Sequence, residues 1–351
     1  MFSNTAVSSG SFPLTFSADS SVYAAPACFA AGTRVTTAGG EVAVEDLAVG
    51  DEVLTASGIT RPVIWIGSRW VRPATYPNPA EVHPIHILAG AFGDGVPARD
   101  LRLSPGHAVF MDGILVPVGH LVNGATIIQE AVDKIRYFHV ELDAHDVLLA
   151  EGLTCESYLE DGNREVFANS PEHLALYGRL DPLDWDGACA PVVKSGPGLV
   201  ALQARLHARA EALGWTKSAE PELSLTAVGV SIAPLHRAGS RMWFQVPAAG
   251  DYRLVSKASR PIELVPGQPD PRRLGLALSE VRADGLSLDL EDPAFGEGFH
   301  GLERLEQIAW RWTDGQAVLT LAGPCMLEIA VHMVAPSWAR PAVAPRLVAV
   351  G

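Results

Sequence analysis

The chain has 351 residues, 48% hydrophobic and 19% charged, with 40 acidic against 26 basic side chains and a formal net charge of −14. That balance argues against nucleic acid as a partner, since nonspecific binding needs a basic surface and no run of five or more Lys or Arg occurs. No stretch reaches the roughly 18 apolar residues of a spanning helix; the longest candidate, AVLTLAGPCMLEIAVHMVA, is broken by Gly323, Pro324, Glu328 and His332.

Residues 1–24 read as a flexible polar leader. Ala25 and Ala27 resemble the small residues before a secretory cleavage site, but the first 27 residues contain no Lys or Arg, and serines interrupt any apolar core. No export signal is therefore expected: the cytoplasm is the default compartment, with signal-less export left open. From 25 to 165, turn signals recur at short intervals between β-branched and alternating apolar residues, the pattern of an all-β domain. RVTTAGGEVAVEDL reads as a hairpin around Gly39-Gly40, and HAVFMDGILVPV as a hairpin turning at Asp112-Gly113. Residues 166–220 read as a linker holding one amphipathic helix near 199–213, where Leu199, Leu202, Leu206 and Leu213 approximate one face and Gly214 supplies the stop. Strands resume over 221–335, with Asp284-Gly285 and Asp314-Gly315 as turn dipeptides, and predict a separate β-sandwich. Residues 336–351 read as a tail.

The four cysteines, at 28, 155, 189 and 325, have neither the density of a disulfide scaffold nor the spacing of a zinc site, so free thiols are expected. A lone cysteine becomes a catalytic candidate when histidines occur elsewhere, and six of the eleven lie between 83 and 145. Within that window LRLSPGHAVF sets Ser104 and His107 three apart on a tight turn opened by Ser-Pro. Such a turn can aim a hydroxyl and an imidazole at one small volume.

Three segments in order, CFAAGT at 28–33, VEDLAVGDEVLT at 44–55 and LSPGHAVF at 103–110, resemble the Hint fold shared by hedgehog autoprocessing domains and inteins. PVIWIGSRW and HDVLLAEGLTCESYL look more specifically like the bacterial Hint subfamily, over roughly residues 25 to 165. The resemblance implies a horseshoe-like β fold and an N-to-S acyl shift, in which the Cys28 thiol attacks the Ala27 carbonyl and the leader becomes the acyl group of a thioester. It assigns His107 to protonate the departing α-amine and Ser104, where relatives usually carry Thr, to hydrogen-bond the scissile amide. Splicing is not expected, because Glu156 and Ser157 stand where an intein carries its terminal His-Asn pair, and Tyr158 is no replacement nucleophile. The Asp that activates a sterol in hedgehog would fall near WIGSRW, which has no carboxylate. Water, a thiol or an amine is left as acceptor.

Other residues have competing readings. Cys28 could be a small buried hydrophobe. His139, His145 and Asp143 lie near the family's late histidine and acidic region, facing either the site or the surface. Gly32 and Thr33 are expected to shape the turn after Cys28, and Cys155 to pack within a strand. His83 and His86 have metal-ligand spacing, but their apolar alternation favours strand positions, so no metal or cofactor is expected. Trp243, Trp310 and Trp312 could form a carbohydrate platform or simply be core aromatics. Two functional classes follow: a self-cleaving cysteine domain of one turnover, or a non-catalytic β-rich module whose C-terminal sandwich binds a carbohydrate or protein.

Overall fold

The structure, a computed structural model, describes residues 26–177 and 187–340. The leader at 1–24 and the last residues, 341–351, lie outside the described residues.

The first half is one sheet of thirteen short strands. They are β1 (Phe29–Ala30), β2 (Arg34–Thr37), β3 (Gly40–Ala43), β4 (Glu52–Leu54), β5 (Thr60–Val71), β6 (Ile85–Ile87), β7 (Leu101–Leu103), β8 (Ala108–Met111), β9 (Ile114–Pro117), β10 (Ile127–Gln129), β11 (Ile135–Leu142), β12 (Val147–Ala150) and β13 (Leu153–Glu156). Their order is β10-β6-β7-β1-β11-β5-β4-β2-β12-β13-β8-β9, with β3 on the side of β2. Both expected hairpins form: β2 pairs with β3, and β8 with β9 through Asp112-Gly113, whose φ angles of 51° and 83° suit a two-residue turn of left-handed residues.

Sheet order fixes where the chain must cross. Because β7 lies beside β1 while β8 lies beside β13 near the far end, the turn joining β7 to β8 carries residues 104–107 from one arm to the other. Pairing holds β1 between β7 and β11, with Phe29 opposite Leu103 on one side and Phe138 on the other. Cys28 and the Ser104–His107 turn therefore meet beside β1, which is flanked by strands on both sides and contributes Phe29 to a core that also includes Leu103, Val109, Val140 and Leu148.

The stretch after β13 is fastened to this sheet. Tyr158 and Phe167 are buried beside Trp65. Arg164 binds both carboxylate oxygens of Glu141 at 2.7 and 2.8 Å, also binds Glu160, and lays its guanidinium 4.4 Å from the Trp65 ring centre. Helix α1 (Ser170–Tyr177) follows, and then α2 (Pro197–Ala212), the amphipathic helix legible in the sequence. Its Leu199, Leu202 and Leu206 enter the core of the first sheet, and Arg209 Nε donates to the Gly90 carbonyl at 2.8 Å. Much of the expected linker thus packs on the first sheet, because its apolar face would otherwise be left in water.

Strands resume at Thr216, and from Leu223 onward they build two further sheets. A four-stranded sheet contributes Leu225, Leu254 and Leu319, and a seven-stranded sheet Phe244, Val281 and Ile329, to one buried cluster. Asp284-Gly285 closes a hairpin between Leu276–Ala283 and Leu286–Leu288. Asp314-Gly315 instead hands the chain from one sheet to the other, since Ile308–Thr313 and Gln316–Leu321 belong to different sheets. Gly315 has φ +89°, and a Cβ there would stand 2.7 Å from Ala258 Cβ, so both conformation and space call for glycine. The expected tail needs correction at its start: Ser337–Ala339 pairs antiparallel with Thr216–Ser218, and Trp338 Nε1 donates to the Asn123 carbonyl at 2.8 Å. A partly buried indole N–H needs an acceptor, and this one finds it in the first domain.

The Arg164 clamp is open to test. Arg164→Ala leaves Glu141 and Glu160 buried without their cation, and is expected to cost about 3–5 kcal/mol. Urea unfolding would measure it, and an unchanged midpoint would contradict the assigned role.

Candidate functional site

Ser104 is fully buried and its hydroxyl is held from two sides. Its Oγ accepts from the Cys28 N–H at 2.8 Å and donates to the Pro26 carbonyl at 2.9 Å. The Ser104 N–H in turn donates to the Cys28 carbonyl at 2.9 Å. The side chain lacks the β-branch that would stiffen a threonine, but two hydrogen bonds fix its rotamer instead. The Ala27–Cys28 peptide bond lies inside this clasp.

The turn that presents Ser104 and His107 is closed from behind. His107 N–H donates to the Ser104 carbonyl at 3.0 Å, Val118 N–H to the His107 carbonyl at 2.9 Å and Gly119 N–H to the Pro105 carbonyl at 2.9 Å. The His107 ring is buried, with its centre 4.3 Å from that of Phe29 and 6.0 Å from that of His139. Among the described residues, neither of its ring nitrogens has a protein partner of hydrogen-bonding geometry. Burial pushes its pKa down to about 3, outweighing a pull upward from the backbone of Cys28 and Glu156, so the ring is neutral at ordinary pH.

Cys28 is 1% exposed, among Trp65, Val71, Val82, Tyr137, Tyr158 and Phe167. Burial pushes its thiol up to about 12, with Arg69 acting in the opposite direction. Glycine at position 67 makes this wall feasible. A Cβ there would stand 2.4 Å from the Trp65 ring and 2.8 Å from that of Phe167, and Gly67 pairs with His139 across the sheet.

His139 faces this region, buried, with its ring centre 4.6 Å from that of Tyr158 and its pKa well below the ordinary value through burial. His145 stands further out: its Nδ1 accepts from the Cys189 N–H at 3.0 Å, and its Nε2 lies 3.9 Å from Glu156 Oε2. Asp143 is at the surface, paired with Arg61 at 3.0 Å and away from the thiol. Gly32 and Thr33 shape the turn after β1: Gly32 takes φ +86° and donates its N–H to Glu45, while Thr33 N–H returns to the Ala30 carbonyl. Cys155 is a packed strand residue opposite Val109. His86 lies on β6 against Asp100, whereas His83 sits in the preceding bend and accepts from the Val132 N–H, so the two do not converge. No group of three or more His, Cys, Asp or Glu among the described residues is arranged to hold a metal ion. Trp310 and Trp312 are buried in a core cluster; Trp243 packs on His236, 5.2 Å between ring centres. The three therefore present no common open face.

Two residues of the site escape a sequence reading. Glu156, noted only as a departure from the intein ending, is fully buried, and its Oε1 accepts from the Ala108 N–H, next to His107, at 2.6 Å. Burial pushes its carboxyl up to about 8. Arg69, in the segment noted only for lacking a carboxylate, is buried on the face of β5 whose Trp65 and Val71 pack in the Cys28 cluster. One signal was available for Arg69, which falls in phase with Trp65, Gly67 and Val71 on one face of β5. Buried polar atoms without a partner among the described residues concentrate here: Trp65 Nε1, both His107 nitrogens, His139 Nδ1, His145 Nε2 and Glu156 Oε2. Such groups are rare in packed interiors and mark sites where something beyond packing is selected.

Residues 27–162 match the family model of the Hint domain. That segment is a Hint domain, and a second β-rich region follows it. Domains of the Hint and intein family process their own flanking sequence. The chain is similar to the MchDnaB-1 intein (18% identity, 37% of this chain and 99% of that one, TM-score 0.27). It is also similar to a bacterial intein-like domain from Clostridium thermocellum (17%, 37% and 98%, 0.29) and to a DnaB intein from Synechocystis sp. PCC 6803 (11%, 38% and 99%, 0.26). No curated protein matches the chain. No helix among the described residues is long and apolar enough to cross a membrane.

The buried carboxyl makes a prediction about pH. Its folded pKa of about 8 lies above the 4.5 of a free glutamate, so the stability it contributes is complete below about pH 4.5 and declines as pH rises towards 8. Glu156→Gln keeps an acceptor for the Ala108 N–H and removes the ionisation. Relative to wild type, this variant is expected to gain stability between pH 5 and 8 in denaturant titrations. A difference that does not change with pH would contradict the assignment.

Proposed function

We propose that the Hint domain cleaves its own chain between Ala27 and Cys28 through a thioester, with the leader as acyl group. The observation that carries the reading is the Ser104 hydroxyl, which receives the N–H of the scissile bond at 2.8 Å while holding the Pro26 carbonyl on the other side. A hydroxyl in that position fixes the amide against the turn that brings His107, and pre-positioning of this kind lowers the barrier to attack.

The proton account follows from the low basicity of His107. The neutral ring takes the proton of Cys28 Sγ, and the thiolate attacks the Ala27 carbonyl carbon to give a tetrahedral oxyanion. The new imidazolium then delivers the same proton to the nitrogen as the C–N bond breaks. Products are an Ala27 thioester on Cys28 and a free α-amine, with no net proton taken up. Depression of the His107 pKa to about 3 makes its imidazolium a strong acid, suited to an amide nitrogen that leaves only when protonated. Water, a thiol or an amine then resolves the thioester. Splicing is outside this scheme, since Glu156 and Ser157 have no side-chain amide to form a succinimide.

The resting thiol gives a second reading its one support. With burial pushing Cys28 up to about 12, a Hint scaffold kept as a platform would look the same at rest. Cleavage assays separate the two. Incubation of folded protein with a thiol is expected to release residues 1–27, and Cys28→Ala to remain whole. His107→Ala is expected to slow release about 10²- to 10⁴-fold, with Ser104→Ala costing less. Wild-type protein that stays intact in prolonged thiol, by mass spectrometry, would favour the platform.

A further inference from the structure

The protein buries two arginines among its described residues, and they are treated differently. Arg164 is neutralised by Glu141 and Glu160. Arg69 has no carboxylate partner among the described residues; its hydrogen bond is to the hydroxyl of Tyr76, 2.8 Å from Nη2. Leaving a buried cation without a counter-ion is costly, and in an acidic chain rich in available carboxylates it calls for a reason. Arg69 stands on the face of β5 that carries Trp65 and Val71, both packed with Cys28. Across the sheet it is registered on Tyr137, which pairs in turn with Ala30, two residues after Cys28.

We propose that Arg69 is the counter-ion for the negative charge that develops at Cys28 when its thiol is deprotonated. The inference rests on the acyl-shift reading for its use in catalysis, though not for its effect on the thiol. Other groups near the sulfur cannot supply the charge. His107 and His139 are held neutral by burial, Tyr137 is a phenol that donates to the Val82 carbonyl, and Glu156 acts in the opposite sense. Arg69 is the cation that favours the thiolate. In the step itself Sγ–H loses its proton to His107, Sγ bonds to the Ala27 carbon, and the proton passes to the Cys28 nitrogen as the Ala27–Cys28 C–N bond breaks. Arg69 gains and loses no bond. It stabilises the sulfur anion before attack, in a site where water cannot, and is left with its phenol partner once the charge is spent.

Two readouts test this on the full chain. Alkylation of Cys28 by iodoacetamide, followed by mass spectrometry, reports the thiolate fraction; burial slows it in every variant, and the ratio between variants removes that factor. Leader release by hydroxylamine reports the acyl shift. Arg69→Gln is expected to slow both at pH 7.5 by roughly tenfold or more, since each pKa unit of thiol is tenfold in thiolate. Arg69→Lys, which restores a cation, is expected to recover at least part of each loss. Arg69→Gln alkylated at the wild-type rate, or Arg69→Lys as slow as Arg69→Gln, would overturn the proposal. If wild type releases no leader but the alkylation order holds, the acyl-shift reading falls and the counter-ion assignment stands.

Discussion

One hydroxyl organises the centre of the first domain. Ser104 Oγ ties the Cys28 N–H to the Pro26 carbonyl, and both ends of that clasp lie in the short segment that leads into β1. Without it, the Cys28 N–H and the Pro26 carbonyl would be left in a buried segment without this shared partner. The fold serves this contact: β1 is trapped between β7 and β11, and the chain must cross the sheet at residues 104–107. Two segments 76 residues apart are thereby brought into hydrogen-bonding range.

The electrostatics follow from dryness. The surroundings of Cys28 are apolar and aromatic, which keeps the thiol protonated and His107 neutral, so neither group is charged at rest. The same dryness magnifies any fixed charge, which gives Arg69 its leverage. The aromatic wall, with Gly67 leaving room for Trp65 and Phe167, is what excludes water; Arg164 and its two carboxylates hold that wall shut.

How far the sequence discloses all this depends on the range of the signal. Hairpins at Asp112-Gly113 and Asp284-Gly285 are local, set by residues that tolerate positive φ, and they are legible. So is α2, from its leucine spacing. The turn holding Ser104 and His107 is also local, and only its resemblance to a known family joins it to Cys28. Glu156 is not legible as a site residue, because its burial follows from pairing across strands distant in sequence, and Arg69 shows in sequence only its phase with the buried face of β5. Nor is the difference between Asp284-Gly285 and Asp314-Gly315, two similar turn dipeptides of which one closes a hairpin and the other changes sheets. The docking of α2 on the first core, and of Trp338 on Asn123, likewise depends on contacts no local pattern encodes.

The central claim is that the bond before Cys28 is converted into a thioester, and the chemical form of the released leader tests it most directly. Folded protein treated with hydroxylamine at neutral pH should yield a peptide ending at Ala27 as a hydroxamate, visible by mass, because hydroxylamine captures an acyl group from sulfur. A fragment ending there in a plain carboxylate under the same conditions, still formed by Cys28→Ala, would mean that the bond is cut by another route and would contradict the account.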